Sequence, residues 1–226
     1  MADNIVIIDK PKGITSHDVV DAVRKKTGER RVGHAGTLDP LATGVLIVLV
    51  GRGATKRQAE FMGLPKEYEA ELMFGTTSET YDAEGPLTQT ADAEQLGKLT
   101  QTDVEATLPQ FIGTIQQRPP AHSAIKVGGR PLYKKARKGE VQAADIPERT
   151  VQIDSIELLS FTPATPTSPP QAHLRIACQK GVYIRSLAHD IGQLLEVGAY
   201  LSKLARTKIG PHTLATAVSL EEFLKQ

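Results

Sequence analysis

Residues 33–44 read Gly-His-Ala-Gly-Thr-Leu-Asp-Pro-Leu-Ala-Thr-Gly, and the six residues that follow, Val45 to Val50, are all apolar. The three glycines and one proline favour a sharply turned loop, and the apolar run predicts a strand that is buried on both faces. Asp39 therefore lies in a loop that feeds into a rigid strand, a place where proteins often present reactive groups. On its own, Asp39-Pro40 is also an ordinary turn dipeptide.

The segments on either side of this loop alternate between strand and helix patterns. Upstream, residues 5–8 predict a short buried strand and residues 10–13 a turn. Thr15 or Ser16 can cap a helix that Gly28 ends. Downstream, the pattern predicts strands over residues 66–74, 150–161 and 172–178. It also predicts a helix that is capped by Thr102 with Glu105 and runs to about Gln110, and a short last helix capped by Ser219 with Glu222. A further helix after Gly181 is predicted to have one apolar face, formed by Ile184, Leu187, Ile191, Leu194 and Leu195. This irregular mixture is typical of an α+β fold, and we expect one domain over residues 1–226.

The composition is that of an ordinary globular protein, with 40% hydrophobic and 23% charged residues. No apolar run approaches the length of a membrane span. Asp3 stands where a secretory signal would carry cations, so we expect a cytoplasmic protein. The single cysteine, Cys178, cannot form an internal disulfide, and no Cys/His cluster has metal-ligand spacing. We therefore expect no metal and no membrane association.

Positive charge is bunched, although the net charge is only +1. One cluster contains Arg24, Lys25, Lys26, Arg30 and Arg31, and the other contains Lys126, Arg130, Lys134, Lys135, Arg137 and Lys138. The second cluster lies in a segment over residues 113–139 whose prolines and glycines predict a long exposed arm. Solvated helix faces are one interpretation of such clusters, and a polyanion bound on one side of the molecule is the other.

The usual motifs of several common enzyme classes are absent from this sequence. The sequence has no Walker-type loop, no GxGxxG after a strand, no GxSxG and no HExxH. One cation is out of place, because Arg185 falls at a predicted helix start, where negative partners are preferred. This position indicates a carboxylate partner from elsewhere in the fold.

Residues 33–44 resemble the catalytic motif of the bacterial tRNA pseudouridine synthase B family. Three further segments match that family in the same order. They are Asp9 to Gly13 with Thr15-Ser16, Pro120 to Lys126 with Gly129 to Gly139, and Cys178 to Arg185 with Asp190-Ile191-Gly192. Together the matches span most of the chain.

The resemblance implies the pseudouridine synthase fold, a mixed and largely antiparallel central sheet flanked by helices, with a basic thumb-like arm. It also implies a reaction that needs no cofactor or metal. A uridine in the T-loop of tRNA, at position 55, is cut at its N-glycosidic bond, and the uracil rotates and rejoins the ribose through carbon 5. We expect tRNA, recognised at its T-stem-loop, as the partner of a monomer.

The same resemblance implies roles for individual residues. Asp39 initiates the reaction, by attack or by proton abstraction. Tyr68 stacks on the uracil and helps to remove the carbon 5 proton. Arg185 pairs with Asp39 and keeps it ionised. The implied substrate contacts are His34, which fills the space of the extruded nucleotide, Tyr183, Lys10, Lys56 and Leu204, and the implied contacts of the arm with the RNA backbone are Lys126, Arg130, Lys134 and Lys135.

Two departures from the family pattern are visible. Ala35 stands where the family usually has a threonine or serine, and the chain stops at Gln226, whereas many relatives continue into a small C-terminal RNA-binding domain. Core packing is an equally good interpretation of Leu204, and a lone histidine such as His34 is more often structural. A tRNA-folding chaperone and an α+β hydrolase with Asp39 as its acid/base group remain as alternative functions.

Overall fold

The computed structural model describes residues 4–123, 125–127, 130–132, 136 and 146–225. The chain divides into two compact units. The first unit contains Met1–Glu69, Ala177–Lys180 and Lys203–Gln226, and the second contains Ala70–Ile176 and Gly181–Ser202. The backbone therefore passes between the units several times.

Strands and short helices alternate along the chain. The strands are β1 (Asn4–Lys10), β2 (Val32–Ala35), β3 (Thr43–Val50), β4 (Lys66–Phe74), β5 (Thr76–Ser78), β6 (Leu87–Gln89), β7 (Gly113–Gln117), β8 (Lys126–Val127), β9 (Arg130–Pro131), β10 (Arg149–Thr162), β11 (Gln171–Cys178), β12 (Ala199–Ile209), β13 (His212–Thr213) and β14 (Val218–Ser219). The α-helices are α1 (Ser16–Thr27), α2 (Arg52–Lys56), α3 (Gln58–Gly63), α4 (Ala93–Lys98), α5 (Gln101–Thr107), α6 (Ile184–Leu194) and α7 (Leu220–Lys225), and 3₁₀ helices cover Leu108–Phe111 and Leu214–Thr216.

Strand β3 is central to the sheet of the first unit, where the strand order is β14-β1-β3-β12. Strand β1 runs antiparallel to β3, with Lys10 opposite Gly44. Strand β12 runs parallel to β3, with Arg206 opposite the same Gly44. Strand β2 also pairs with β3, so the turned loop that carries Asp39 connects two paired strands.

Both faces of β3 are covered, which explains its continuous apolar sequence. Leu46, Val48 and Val50 pack with the valines of α1. Val45, Ile47 and Leu49 pack on the other face with Ala54, Phe61 and Ile209. Burying each such side chain contributes about 1.5–3 kcal/mol, so β3 anchors the loop that precedes it.

The second unit contains the strand order β11-β10-β7. Strand β7 runs antiparallel to β10, with Gly113 opposite Ile153 and Gln117 opposite Arg149. Helix α6 buries Ile184, Leu187 and Ile191. With its mainly antiparallel pairings and mixed elements, the chain has the predicted α+β fold.

Helix boundaries at α1 and α7 confirm the predictions. Thr15 caps α1, Gly28 ends it in the left-handed conformation, and Ser219 forms a reciprocal cap with Glu222. The predicted Thr102–Glu105 cap of α5 is wrong, because Thr100 and Asp103 form the capping box instead. Starting the helix at Gln101 turns the apolar Val104 inward.

Three other expectations need correction. The turned loop is shorter than residues 33–44, because its first residues belong to β2 and its last two to β3. The exposed arm cannot begin at Gly113, because Gly113–Gln117 is a paired strand. Leu194 does not join the buried face of α6, since it is 45% exposed at the helix end. Among the described residues, no helix is both long and apolar enough to cross a bilayer.

Candidate active site

The loop that carries Asp39 is fixed by hydrogen bonds to the start of α1. The hydroxyl of Ser16 accepts from the Leu38 amide at 2.8 Å and donates to the Leu38 carbonyl at 3.0 Å. The Gly13 amide donates to the Pro40 carbonyl at 2.8 Å, and the Ala42 amide donates to the Asp39 carbonyl at 3.0 Å. The backbone on both sides of Asp39 is therefore held in one conformation.

A buried guanidinium joins the two ends of this loop. Arg206 is only 1% exposed. Its Nη2 donates to the Gly36 carbonyl at 2.9 Å, its Nη1 to the Thr37 carbonyl at 3.4 Å and its Nε to the Val45 carbonyl at 2.8 Å. These acceptors lie before and after Asp39 in the sequence.

Tyr68 lies in the same part of the first unit. It alternates with outward-facing residues on β4 and is buried. Burial raises the pKa of its phenol, the charges of Cys178 and Asp39 raise it further, and the nearby guanidinium of Arg206 lowers it. The charges of Asp39 and Arg206 thus both act on the phenol of Tyr68, which is neutral near pH 7 because its pKa is raised.

His34 lies on β2, just before the turned part of the loop. Burial lowers the pKa of its imidazole, and the positive charges of Arg206 and His17 lower it further. Its Nδ1 is buried and accepts or donates no hydrogen bond within the described part of the chain. A neutral ring of this kind suits stacking on a base better than pairing with phosphate.

The remaining predicted substrate contacts in the first unit differ in exposure. Lys10 is fully buried, and its ammonium donates to the carbonyls of Pro11 and Ile14 at 2.9 and 2.7 Å. Lys56 is exposed at the end of α2. Leu204 is buried on β12, which fits a packing role as well as a pocket role. Contact of these three residues with a substrate stays a prediction.

Arg185 lies at the start of α6 in the second unit. Its Nη1 is 3.3 Å from the Oδ2 of Asp82 and donates to the Thr80 carbonyl at 3.1 Å, and its Nη2 donates to the His122 carbonyl at 2.9 Å. Both members of the ion pair are buried. A carboxylate partner was predicted from the unusual position of this cation, and Asp82 is one. The pairing of Arg185 with Asp39 stays a prediction.

Tyr183 occupies the cap position of α6. Its amide donates to Gln117 Oε1 at 2.8 Å, and Gln117 Nε2 donates to the Tyr183 carbonyl at 3.1 Å. The Gln117 side chain thus binds both backbone polar groups of Tyr183 and fixes the backbone that leads to Arg185.

The predicted arm residues cannot be placed as side chains. Lys134 and Lys135 lie outside the described residues, and for Lys126 and Arg130 only the backbone of β8 and β9 is described. Leu132, between these positions, is buried. Their contact with RNA stays a prediction.

Sequence reasoning missed three residues that organise the site, namely Ser16 as a loop clamp, Asp82 and Arg206. Asp82 received no functional role from its sequence context, and Ser16 only that of a possible helix cap. Arg206 had a detectable signal, because it occupies an inward-facing position of an otherwise apolar strand pattern. In the described ranges, no three His, Cys, Asp or Glu side chains are grouped to hold a metal ion.

Comparison with known proteins identifies the family. The sequence signature described as TruB family pseudouridylate synthase, N-terminal domain, matches residues 24–184. The chain belongs to the TruB family. A second signature, the C-terminal domain of tRNA pseudouridylate synthase B, matches residues 185–226. The boundary between the two TruB signatures falls beside Arg185 and leaves Arg206 in the second.

Curated TruB proteins are similar over almost the whole chain. A tRNA pseudouridine synthase B of Symbiobacterium thermophilum is 47% identical over 221 residues, which cover 98% of this chain and 71% of that protein. One of Aquifex aeolicus is 42% identical over 222 residues, covering 98% of this chain and 74% of that protein.

Solved structures agree with the TruB assignment. The matched chain in a crystal structure of a Cbf5-Nop10-Gar1 complex has a TM-score of 0.73 and 29% identity over 98% of this chain. A chain from an H/ACA RNP bound to a substrate RNA containing 2'-deoxyuridine has a TM-score of 0.69 and 27% identity. The chain spans about half the length of these solved proteins, 53% and 52%.

Proposed function

We propose that this protein is a tRNA pseudouridine synthase that isomerises a T-loop uridine, at position 55, to pseudouridine. The supporting observation is that a TruB family chain presents Asp39 on a clamped loop in one electrostatic environment with the buried Tyr68. The names of its curated relatives support tRNA as the substrate. The proposal includes recognition of the T-stem-loop by a monomer in the cytoplasm.

The chemistry breaks one bond and forms another within the same nucleotide. The N-glycosidic bond is cut, the uracil turns, and its carbon 5 joins the ribose. Because uridine and pseudouridine are isomers, the overall reaction consumes no second reactant. Asp39 initiates it either by attack on the ribose or by removal of a ribose proton, and both routes stay open.

Tyr68 acts at the last step, in which the proton on carbon 5 must leave for the new product to become aromatic. Its raised pKa means that the phenol is neutral near pH 7. A neutral phenol is a weak base, so Tyr68 assists as a relay, receiving the carbon 5 proton as its own proton passes to water. The N1 atom of the uracil, freed from the ribose, takes up one proton in turn, so the reaction balances. Arg185 keeps Asp39 ionised in this proposal.

Access to the uridine requires extrusion of the nucleotide, which costs roughly a few kcal/mol of stacking. We assign His34 to the vacated position in the RNA. Tyr183, Lys10, Lys56 and Leu204 contact the substrate in this proposal, and the arm residues Lys126, Arg130, Lys134 and Lys135 contact the phosphates.

The test is release of tritium from a tRNA transcript labelled at uridine carbon 5. We expect release with the wild-type protein, because bond formation at carbon 5 displaces its hydrogen. Asp39→Asn should abolish release and leave RNA binding nearly intact, since the amide keeps the shape and loses the charge. Binding is measured in parallel by filter retention.

The control is Asp154→Asn, which makes the same chemical change at an exposed position of β10. It should release tritium at the wild-type rate. Binding without release by the wild-type protein would support the RNA-folding chaperone instead. Absence of both binding and release would sink the RNA assignment altogether.

A further inference from the structure

The strongest unexplained feature is the fully buried charge of Arg206. Burying a guanidinium is costly unless its donors are satisfied. Here three donors bind backbone carbonyls of Gly36, Thr37 and Val45, and the charge of the guanidinium also acts on the phenol of Tyr68. A side chain whose only role was to fill space in the core would be apolar.

The acceptors of Arg206 fall on both sides of Asp39. Gly36 and Thr37 lie before Asp39, and Val45 lies after it at the start of the buried run of β3. A guanidinium is planar and presents its donors as a rigid fork, so several acceptors bound at once fix their relative positions. A single side chain therefore ties the two ends of the loop together, in addition to the pairing of β2 with β3.

Two glycines lie where the loop and β3 meet Arg206. Gly36 has φ +88°, and a Cβ at this position would lie 3.4 Å from Nη1 of Arg206. Gly44 has φ +102°, and a Cβ there would lie 2.3 Å from the Arg206 carbonyl oxygen. At Gly44, β3 and the strand that carries Arg206 thus approach each other more closely than a residue with a side chain allows, whereas at Gly36 the positive φ alone disfavours one.

We propose that Arg206 is a positioning residue, which sets the place of Asp39 through the loop backbone and keeps a positive charge close to the phenol of Tyr68. The inference rests on the proposed function, since the two groups that it aligns are those assigned to the chemistry. Lysine at this position keeps the charge but has one nitrogen and no fork. It cannot replace all three contacts.

The test separates rate from binding. Under single turnover with excess enzyme, Arg206→Lys should lower the rate of tritium release about 100-fold, the size expected for a small misplacement of catalytic groups. The dissociation constant for RNA should stay at the wild-type value. The matched control is Arg175→Lys, an arginine on β11 whose Nη1 lies 3.0 Å from Glu157 at the surface, and it should change neither quantity.

A second variant addresses the functional contact directly. In Arg206→Ala, added guanidinium should restore release in a saturable manner, whereas ethylammonium at the same concentration should not. A residue that only supports folding would show no such preference for a planar donor. Circular dichroism before each assay confirms that the variant is folded.

Gly36→Ala retains Arg206 and strains the loop backbone that carries one of its acceptors, because φ is +88° there, so it tests the loop side if the Arg206 variants do not fold. A reduced rate with unchanged RNA affinity is expected. Wild-type release by folded Arg206→Lys or Gly36→Ala, or no rescue of folded Arg206→Ala by guanidinium, overturns the inference about Arg206. Absence of release by the wild-type protein overturns the proposed function instead.

Discussion

At the scale of single residues, the structure places unusual demands on Gly44. The residue combines φ +102° with a close approach to the backbone of Arg206. Gly13 has a similar φ of +90°, but nothing lies within 4 Å of the position that its Cβ would take. Comparison of substitutions at Gly13 and Gly44 therefore distinguishes the cost of backbone strain from the cost of a steric clash.

Replacement of these glycines gives the first prediction. Gly13→Ala should lower the free energy of unfolding by about 1–3 kcal/mol, from backbone strain alone. Gly44→Ala should lower it by clearly more, because the added carbon collides with a backbone oxygen that cannot move aside. Urea unfolding measures both variants, and equal losses would contradict the packing around Arg206.

The buried pair of Asp82 and Arg185 gives the second prediction. Removing one charge of a buried pair leaves the other poorly compensated, which typically costs about 3–5 kcal/mol. Asp82→Asn should therefore lower the free energy of unfolding by an amount of this order. Glu157→Gln, which removes an exposed partner of Arg175, should cost less than about 1 kcal/mol. Similar losses in the two variants would argue against burial of the first pair.

Which functional residues could be predicted depended on local context. Asp39 was found because glycines, a proline and an apolar strand surround it in the sequence. The need of Arg185 for a carboxylate followed from its place at a helix start. Asp82 as that partner did not follow, because the two residues are about a hundred positions apart and only the fold joins them.

At the scale of elements, helices α5 and α6 carry aspartates with opposite pKa shifts. On α6, burial raises the pKa of Asp190 to about 6, Glu148 raises it further, and Arg118 opposes the shift. On α5, hydrogen bonds from the Thr100 side chain and backbone lower the pKa of Asp103. As the pH rises, the contribution of Asp190 to the stability of the fold should therefore fall, whereas the contribution of Asp103 should rise.

Asp190 gives the third prediction. Its folded pKa lies above the ordinary value of 3.8, so the ionised form is disfavoured in the fold and its contribution to stability falls as the pH rises from about 4 to 6. Asp190→Asn should raise the free energy of unfolding by about 1–2 kcal/mol at pH 7.5 after allowance for solvent screening. The gain should vanish below the unfolded pKa.

Asp103→Asn is the matched control with the opposite sign. Because the folded pKa of Asp103 is lowered, its carboxylate stabilises the fold above the unfolded pKa and loses that effect as the pH falls through the folded value. The variant should be less stable than the wild type at pH 7.5 and equal to it in strong acid. Thermal unfolding across this pH range measures both, and shifts of the same sign would refute the assignment.

Secondary-structure elements could be predicted where burial follows one regular pattern along the whole element. Strand β3 was found because both of its faces are buried, and β4 because its burial alternates residue by residue. Strand β7 was missed because its exposed positions are Thr114 and Gln116, its one buried residue is the polar Gln117, and its pairing with β10 is distant in sequence. Strand β12 was missed because Arg206 interrupts its buried face.

At the scale of the whole molecule, RNA binding should depend on the arm and not on the net charge of +1. Each phosphate contact contributes about 0.7–0.9 to the slope of log affinity against log salt concentration. Replacing Lys126, Arg130, Lys134 and Lys135 by glutamine should reduce that slope by about 3. Filter binding of a T-stem-loop RNA at several salt concentrations measures it.

The control replaces four other cations that already have acidic partners. These are Arg57, Lys98, Arg175 and Lys225, which pair with Glu60, Glu94, Glu157 and Glu221. Their replacement by glutamine should leave the salt slope unchanged. Equal slopes for the arm variant and the wild type would remove the arm from the RNA interface.

The division into units has a practical result for anyone who tries to dissect this protein. Strands β4, β11 and β12 each begin in one unit and end in the other, and the first unit is assembled from three separate stretches of chain. Cleavage of the chain at one position therefore cannot release either unit as a single fragment. Expression of residues 1–184 alone would discard Arg206 together with β12, and such a piece should fail to hold the loop around Asp39.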